Sequence, residues 1–143
     1  MGKNLSEVNV DFMIVSDYAF VGENGKLNII GVFDIIGVSQ FPSGHPELFV
    51  VAKITGKENS EHEIEINLED PDGENLLVPI PPKLKVKLSG TGDGSVIQRF
   101  FNLNFKKAGV HKFQLLKDGK KISKAKLTVM KITNGKITNS EPN

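Results

Sequence analysis

Apolar side chains recur at every second position through most of this 143-residue chain, and that period limits what it can fold into. In HEIEINLE, Ile64, Ile66 and Leu68 share one phase, and Glu63, Glu65, Asn67 and Glu69 share the other. PKLKVKLS sets Leu84, Val86 and Leu88 against Lys83, Lys85 and Lys87. KAKLTVMK likewise sets Ala125, Leu127 and Val129 against Lys124, Lys126 and Thr128. Successive side chains leave a strand on opposite sides, so strict alternation marks strands with one buried and one wet face. No window longer than two turns keeps helical spacing behind a capping residue, and the chain reads as all-β.

Turn residues divide the pattern. Asn24-Gly25 and Asp118-Gly119 each sit between apolar runs, and both dipeptides suit the positive φ values of a type I′ hairpin turn. Pro71 with Asp72-Gly73 predicts another turn, and SGTGDGS from Ser89 to Ser95 a polar loop. Strands are expected near 8–21, 26–38, 47–56, 62–69, 75–80, 83–89, 95–105, 109–117 and 120–131. Eight or nine short strands at this spacing predict an antiparallel β-sandwich or barrel. In the closing stretch a corner at Gly109, with His111 and Phe113 after it, leads into a strand, an Asp-Gly hairpin and a last strand. That order resembles the end of an immunoglobulin-like sandwich, although the usual corner tyrosine is missing. Residues 1–131 are read as one sandwich domain and 132–143 as a loose polar tail.

Composition narrows the chemistry. The chain has no cysteine, which removes disulfides, thiolate metal sites and cysteine nucleophiles together. No apolar run approaches the ~20 residues of a membrane span, and the first residues lack a signal-peptide core, so the expected location is the cytoplasm. Gly2 and Ser6 match a myristoylation pattern in form only. His45, His62 and His111 never fall in a paired ligand spacing, and no metal or other cofactor is expected. Asp70, Asp72 and Asp93 lie in turn segments, where loop carboxylates can hold calcium, but Asp is also an ordinary turn residue. No nucleophile elbow or phosphate-binding loop occurs.

Net charge is +1, but it is unevenly spread. Residues 1–79 hold 4 Lys and 14 Asp or Glu, whereas residues 80–143 hold 13 Lys and Arg99 against 3 acids. Outward stripes of Lys83, Lys85 and Lys87 and of Lys124 and Lys126 would suit a polyanion or nucleic acid. Against that, the chain has no Trp and one Tyr for base stacking. The competing expectation is that acidic and basic strands lie side by side and neutralise each other.

The most patterned stretch is SDYAFVGENGKLNIIGVFDII, Ser16 to Ile36. DYAFV, GKLNIIGVFD and the following Phe41-Pro42, with DPDG later, resemble a bacterial domain-of-unknown-function family that shares a DYA…GKLxIIGxFD…FP signature. The resemblance runs from about Asp11 to Val129 and implies a compact β-domain with no assigned activity and no catalytic residues to carry over. Within the stretch, Leu27, Ile29 and Phe33 share one phase, Ile30, Val32 and Asp34 the other, and both phases are largely apolar. Either the outer phase meets a partner or a bulge at Gly31 turns it inward. Asp17, Tyr18, Phe20, Ile30, Val32 and Asp34 are therefore the candidate interaction residues. The expected function is a non-enzymatic module that binds another protein or a second copy of itself. A hydrolase using Asp17, Tyr18 and Asp34 is the third reading, after polyanion binding.

Overall fold

The computed structural model describes residues 7–133 and 136–137. Ten strands follow one another: β1 Val8–Val21, β2 Leu27–Val32, β3 Ile35–Val38, β4 Ser43–Gly56, β5 Glu61–Glu69, β6 Leu84–Lys87, β7 Asp93–Phe105, β8 Gly109–Lys117, β9 Lys120–Thr133 and β10 Lys136–Ile137. They form two sheets. One has the order β2-β1-β4-β7, the other β10-β9-β8-β5-β6, with β3 joined in parallel to β9. In topology β4 and β7 take the places of strands B and E of an immunoglobulin sandwich, and β5, β6, β8 and β9 those of C, C′, F and G. The fold is an immunoglobulin-like β-sandwich.

The alternating residues do what their period requires. Leu48, Val50, Ala52 and Ile54 of β4 and Ile64, Ile66 and Leu68 of β5 point into one core. So do Val96 and Phe100 of β7, Phe113 and Leu115 of β8, and Leu127 and Val129 of β9. Phe113 lies at its centre, fully buried, with its ring 5.3 Å from that of Phe100.

Three connections share one geometry. In Gly22–Lys26, Asp70–Glu74 and Ser89–Asp93 the first N–H donates to the fifth carbonyl, and the fourth N–H to the first carbonyl. The fourth residue is glycine at positive φ each time, 73° at Gly25, 84° at Gly73 and 79° at Gly92, which a side chain would resist. The type I′ turn expected at Asn24-Gly25 is therefore corrected, because only Gly25 takes positive φ there. Asp118-Gly119 does carry positive φ at both positions, 52° and 76°, as a type I′ turn requires.

Three stretches depart from the expected strands. Residues 26–38 split at Phe33-Asp34, because the chain leaves β2, crosses to the other sheet and pairs there as β3. Residues 75–80 form no strand beyond a bridge between Glu69 and Asn75, since Pro79, Pro81 and Pro82 offer no N–H to a ladder. Within 132–143, Ile132 and Thr133 extend β9 and Lys136–Ile137 pair back on them, so this part is strand rather than loose tail. The rest of that stretch, like Gly2 and Ser6, lies outside the described residues.

The first hairpin departs most from a two-layer sandwich. Pairing of β1 with β4 ends at Ser16 opposite Phe49, so a straight β1 would carry Ala19 alongside Pro46. Instead Ala19 is buried with Phe49 and Val51, and Leu27 and Ile29 pack on the same cluster with Phe12, Ile14 and Ile97. Val21 and Leu27 also share a hollow with Phe12, although a straight strand would set Val21 roughly 30 Å from Phe12 at about 3.3 Å per residue. Beyond Ser16, β1 therefore bends back and lays the β1–β2 hairpin over the outer face of its own sheet as a small third layer.

Candidate interaction surface

Folding back sorts the two apolar phases of the hairpin. Leu27 and Ile29, opposite Val21 and Ala19, serve the contact with the sheet beneath. Tyr18 and Ile30 are direct cross-strand partners on the other side, with Phe20 and Val32 beside them, and all four are exposed. Gly31 does take φ 70°, but the bulge expected to bury Ile30 and Val32 leaves them 55% and 60% exposed. At the bend, Ser16 is fully buried and its Oγ donates to the Tyr18 carbonyl. A Cβ built on Gly31 would stand 2.3 Å from Asp17 Oδ2.

Gly31→Ala should accordingly lower stability by about 1–2 kcal/mol, from left-handed strain with the Asp17 clash added. Gly90→Ala is the control, because a Cβ at Gly90 meets nothing within 4 Å. Equal urea midpoints for the two variants would mean that the bend does not depend on Gly31.

The aromatic surface continues beyond the hairpin. Tyr18 packs 5.6 Å from Phe20 and edge-on to Phe49 at 5.1 Å. The Arg99 guanidinium lies 4.2 Å from the Phe101 ring centroid and 5.8 Å from that of Phe49. Arg99 also pairs with Glu47 at 2.5 Å. Phe20, Tyr18, Arg99 and Phe101 thus line one exposed strip, of the residue types that contribute most to protein interfaces. Arg99 and Phe101 were not among the residues singled out from the sequence. The signal was Arg99-Phe100-Phe101 in a strand without lysine, but only β4–β7 pairing places it beside Tyr18.

Asp34 sits elsewhere. Its carbonyl accepts from Thr128 N–H, and it lines a hollow with Met13, Val15, Val32, Phe33 and Lys126 that neither Asp17 nor Tyr18 lines. Asp17 instead stands against Gly31 and Tyr18 against Phe49. The structure thus brings together Tyr18, Phe20, Ile30 and Val32, with Asp17 at their margin, and sets Asp34 beside Val32 but apart from Asp17 and Tyr18.

The lysine stripes fare differently from each other. Lys87 and Lys85 are cross-strand partners of Glu61 and Glu63, and Lys83 pairs with Glu65 at 3.6 Å. The basic β6 and the acidic β5 are neighbours, so this stripe is neutralised where it stands. Lys124 and Lys126 face Gln114 and Lys112 across β8, with no carboxylate opposite.

Turn carboxylates are occupied locally. Asp70 Oδ1 accepts from the N–H groups of Asp72 and Glu74. Burial pushes its carboxyl up, but those two bonds, with Lys107 and His111 nearby, bring it below the ordinary value. Asp72 pairs with Lys107, and Asp93 accepts from Thr91. Among the described residues no group of three or more His or acidic side chains gathers to hold a metal ion.

His111 is fully buried, edge-on to Phe105. Its Nδ1 is 3.1 Å from the Gly109 carbonyl, which can only accept, so Nδ1 carries the proton. Nε2 is then buried without a partner. Burial lowers the pKa of His111, against the opposing pull of the Gly109 carbonyl and Asp70. Burial and Lys117 lower that of His62, whose Nε2 meets Ser60 Oγ at 2.7 Å.

Residues 11–130 match the sequence profile of DUF6941, a family of unknown function. The chain belongs to that family. No curated protein matches this DUF6941 member. Its fold is similar to part of an alkylpurine DNA glycosylase from Pseudomonas fluorescens, at 9% identity and TM-score 0.51, covering 87% of this chain and 30% of that one. It is also similar to part of a β-glucosidase from Listeria innocua, at 10% identity and TM-score 0.49, covering 86% and 16%. An immunoglobulin-like protein from Pseudomonas aeruginosa matches at 13% identity and TM-score 0.41, covering 87% and 98%. The DUF6941 chain spans under a third of the glycosylase and under a fifth of the glucosidase, and these likenesses concern fold alone. No helix among the described residues is long and apolar enough to cross a membrane.

Proposed function

We propose that this DUF6941 domain is a non-enzymatic protein-interaction module that works in the cytoplasm, and that its contact surface is the outer face of the β1–β2 hairpin. The observation that carries this reading is the division of labour in the hairpin. One apolar phase already covers the sheet beneath, whereas Tyr18, Phe20, Ile30 and Val32 of the other phase remain exposed even with Tyr18 edge-on to Phe49. Four adjacent exposed apolar side chains, continued by Arg99 and Phe101, are a feature of binding surfaces rather than of inert ones. The polyanion reading is the lesser one, because β5 carboxylates answer the β6 lysines. A hydrolase using Asp17, Tyr18 and Asp34 lacks a shared hollow.

Site-specific photocrosslinking in the cells that make the protein tests the reading. A benzophenone side chain at position 20 or 30 should give discrete protein adducts that the same group at exposed position 63, on the opposite sheet, does not. Identical patterns from all three positions, or no adducts at all, would overturn it.

A further inference from the structure

β7 is a 13-residue strand at the end of its sheet, hydrogen-bonded to β4 along one edge from Asp93 to Phe105. In an immunoglobulin sandwich strand D covers the other edge of strand E, the place β7 takes here. Among the described residues no strand stands there, and no backbone group from Gly94 to Asn104 bonds across that edge.

Exposed edges invite pairing, and the opposite edge of this sheet, β2, has only six residues against the thirteen of β7. β6 carries Lys85 and Lys87 behind Pro79, Pro81 and Pro82, and β3 has only four residues. β7 contains no lysine and no proline, and between Asp93 and Phe105 its single charge is Arg99, already paired with Glu47.

The free edge is regular over a defined length. Asn102, opposite Pro46, has φ 52° and kinks the strand there. The run from Gly94 to Asn102 therefore has Gln98 at its midpoint. Gln98 stands opposite Val50 on the core side, and its Oε1 is buried without a hydrogen-bond partner.

We propose that β7 pairs antiparallel with the β7 of a second copy of this chain, about a twofold axis at Gln98. The axis sets the two Gln98 side chains directly opposite each other, where each carboxamide oxygen can accept from the other's amide. It also sets Val96 of each copy opposite Phe100 of the other, and Ser95 opposite Phe101, covering a ring that is 55% exposed in the single chain. The two four-stranded sheets become one sheet of eight, by the strand addition that open edges elsewhere support. This contact shares Phe101 with the strip beside the hairpin but leaves Tyr18, Phe20, Ile30 and Val32 uncovered, so it can fail independently of the hairpin face.

Light scattering of the eluted protein across a dilution series tests the pairing. The expected mass is twice 15.7 kDa at high concentration, falling to 15.7 kDa on dilution. Ser95→Lys with Phe101→Lys changes two exposed side chains and places lysines opposite one another across the axis. It should hold the chain at 15.7 kDa throughout, with unchanged circular dichroism. Ile30→Lys with Val32→Lys should leave the dimer intact. Because the chain has no cysteine, a mixture of Ser95→Cys and Phe101→Cys chains should join through a short bis-maleimide, whereas Ser95→Cys alone should not. A monomer at every concentration, a dimer that survives the two lysines, loss of the dimer in the Ile30/Val32 variant, or a 95–95 adduct would each overturn the proposal.

Discussion

Phe113→Ala is expected to lower stability by about 3–5 kcal/mol, against a total of about 5–15 kcal/mol for a domain of this kind. Phe113 is fully buried, its strand lies between β5 and β9, and its ring meets Phe100 from the opposing sheet. Truncation removes a whole ring from the middle of a core whose other members are held in the strands of both sheets, so the cavity cannot close by moving a loop. Val110, on the same strand and 38% exposed, is the internal control, and Val110→Ala should change stability by less than about 0.5 kcal/mol. Urea midpoints read both. A cost below about 1 kcal/mol at Phe113 would contradict its central place in the core.

Mild acid should destabilise the domain before its carboxylates titrate. The pKa values of His62 and His111 are both lowered in the fold from the ordinary 6.5. Below pH 6.5 the unfolded chain therefore takes up protons that the folded chain refuses, so stability rises with pH in that range and is lost on acidification. It is level with respect to these groups above pH 6.5. The loss begins as pH falls through 6.5 and continues until the folded values are reached, with a limiting slope of about 1.4 kcal/mol per pH unit for each histidine. His111 has the clearer structural cause, since a proton on Nε2 would be a buried charge with no acceptor. Asp70 acts in a separate window: its lowered carboxyl contributes stability above 3.8 that is lost only as pH falls through its folded value. Urea midpoints at pH 7.5, 6.5 and 5.5 distinguish the outcomes. A flat or rising stability between pH 6.5 and 5.5 would show that neither imidazole is held neutral by the fold.

Several features could be read from the chain without its structure because their causes are local. Ile64, Ile66 and Leu68 face the core because a strand alternates, whatever it pairs with. Asp118-Gly119 turns where expected because the dipeptide tolerates positive φ at both positions. Asn24-Gly25 did not follow the same rule. Its loop is one residue longer, closing between Gly22 and Lys26, so only Gly25 needs positive φ. Loop length depends on where the ladder ends, which is a property of two strands rather than of the dipeptide.

The charge asymmetry shows the same limit. Lys83, Lys85 and Lys87 read alike in the sequence to Lys124 and Lys126, yet β5 brings carboxylates to the first three, and β8 brings Gln114 and Lys112 to the other two. Nothing within either segment distinguishes them, because the partner of a strand lies tens of residues away. The hairpin is the strongest case. Its two apolar phases posed the choice between a partner surface and an inward bulge, and neither alternative included the bend after Ser16.

Alternation and turn residues were enough to determine an all-β chain of short strands and the inward side of most of them, since each follows from the period of the backbone or from a single residue's φ preference. Tertiary structure decided which strands are neighbours, which lysines are neutralised, that Arg99 and Phe101 join Tyr18 and Phe20, and that β7 keeps an open edge. All four depend on non-local pairing, where the free energy comes from burying faces against each other and no segment carries the choice alone.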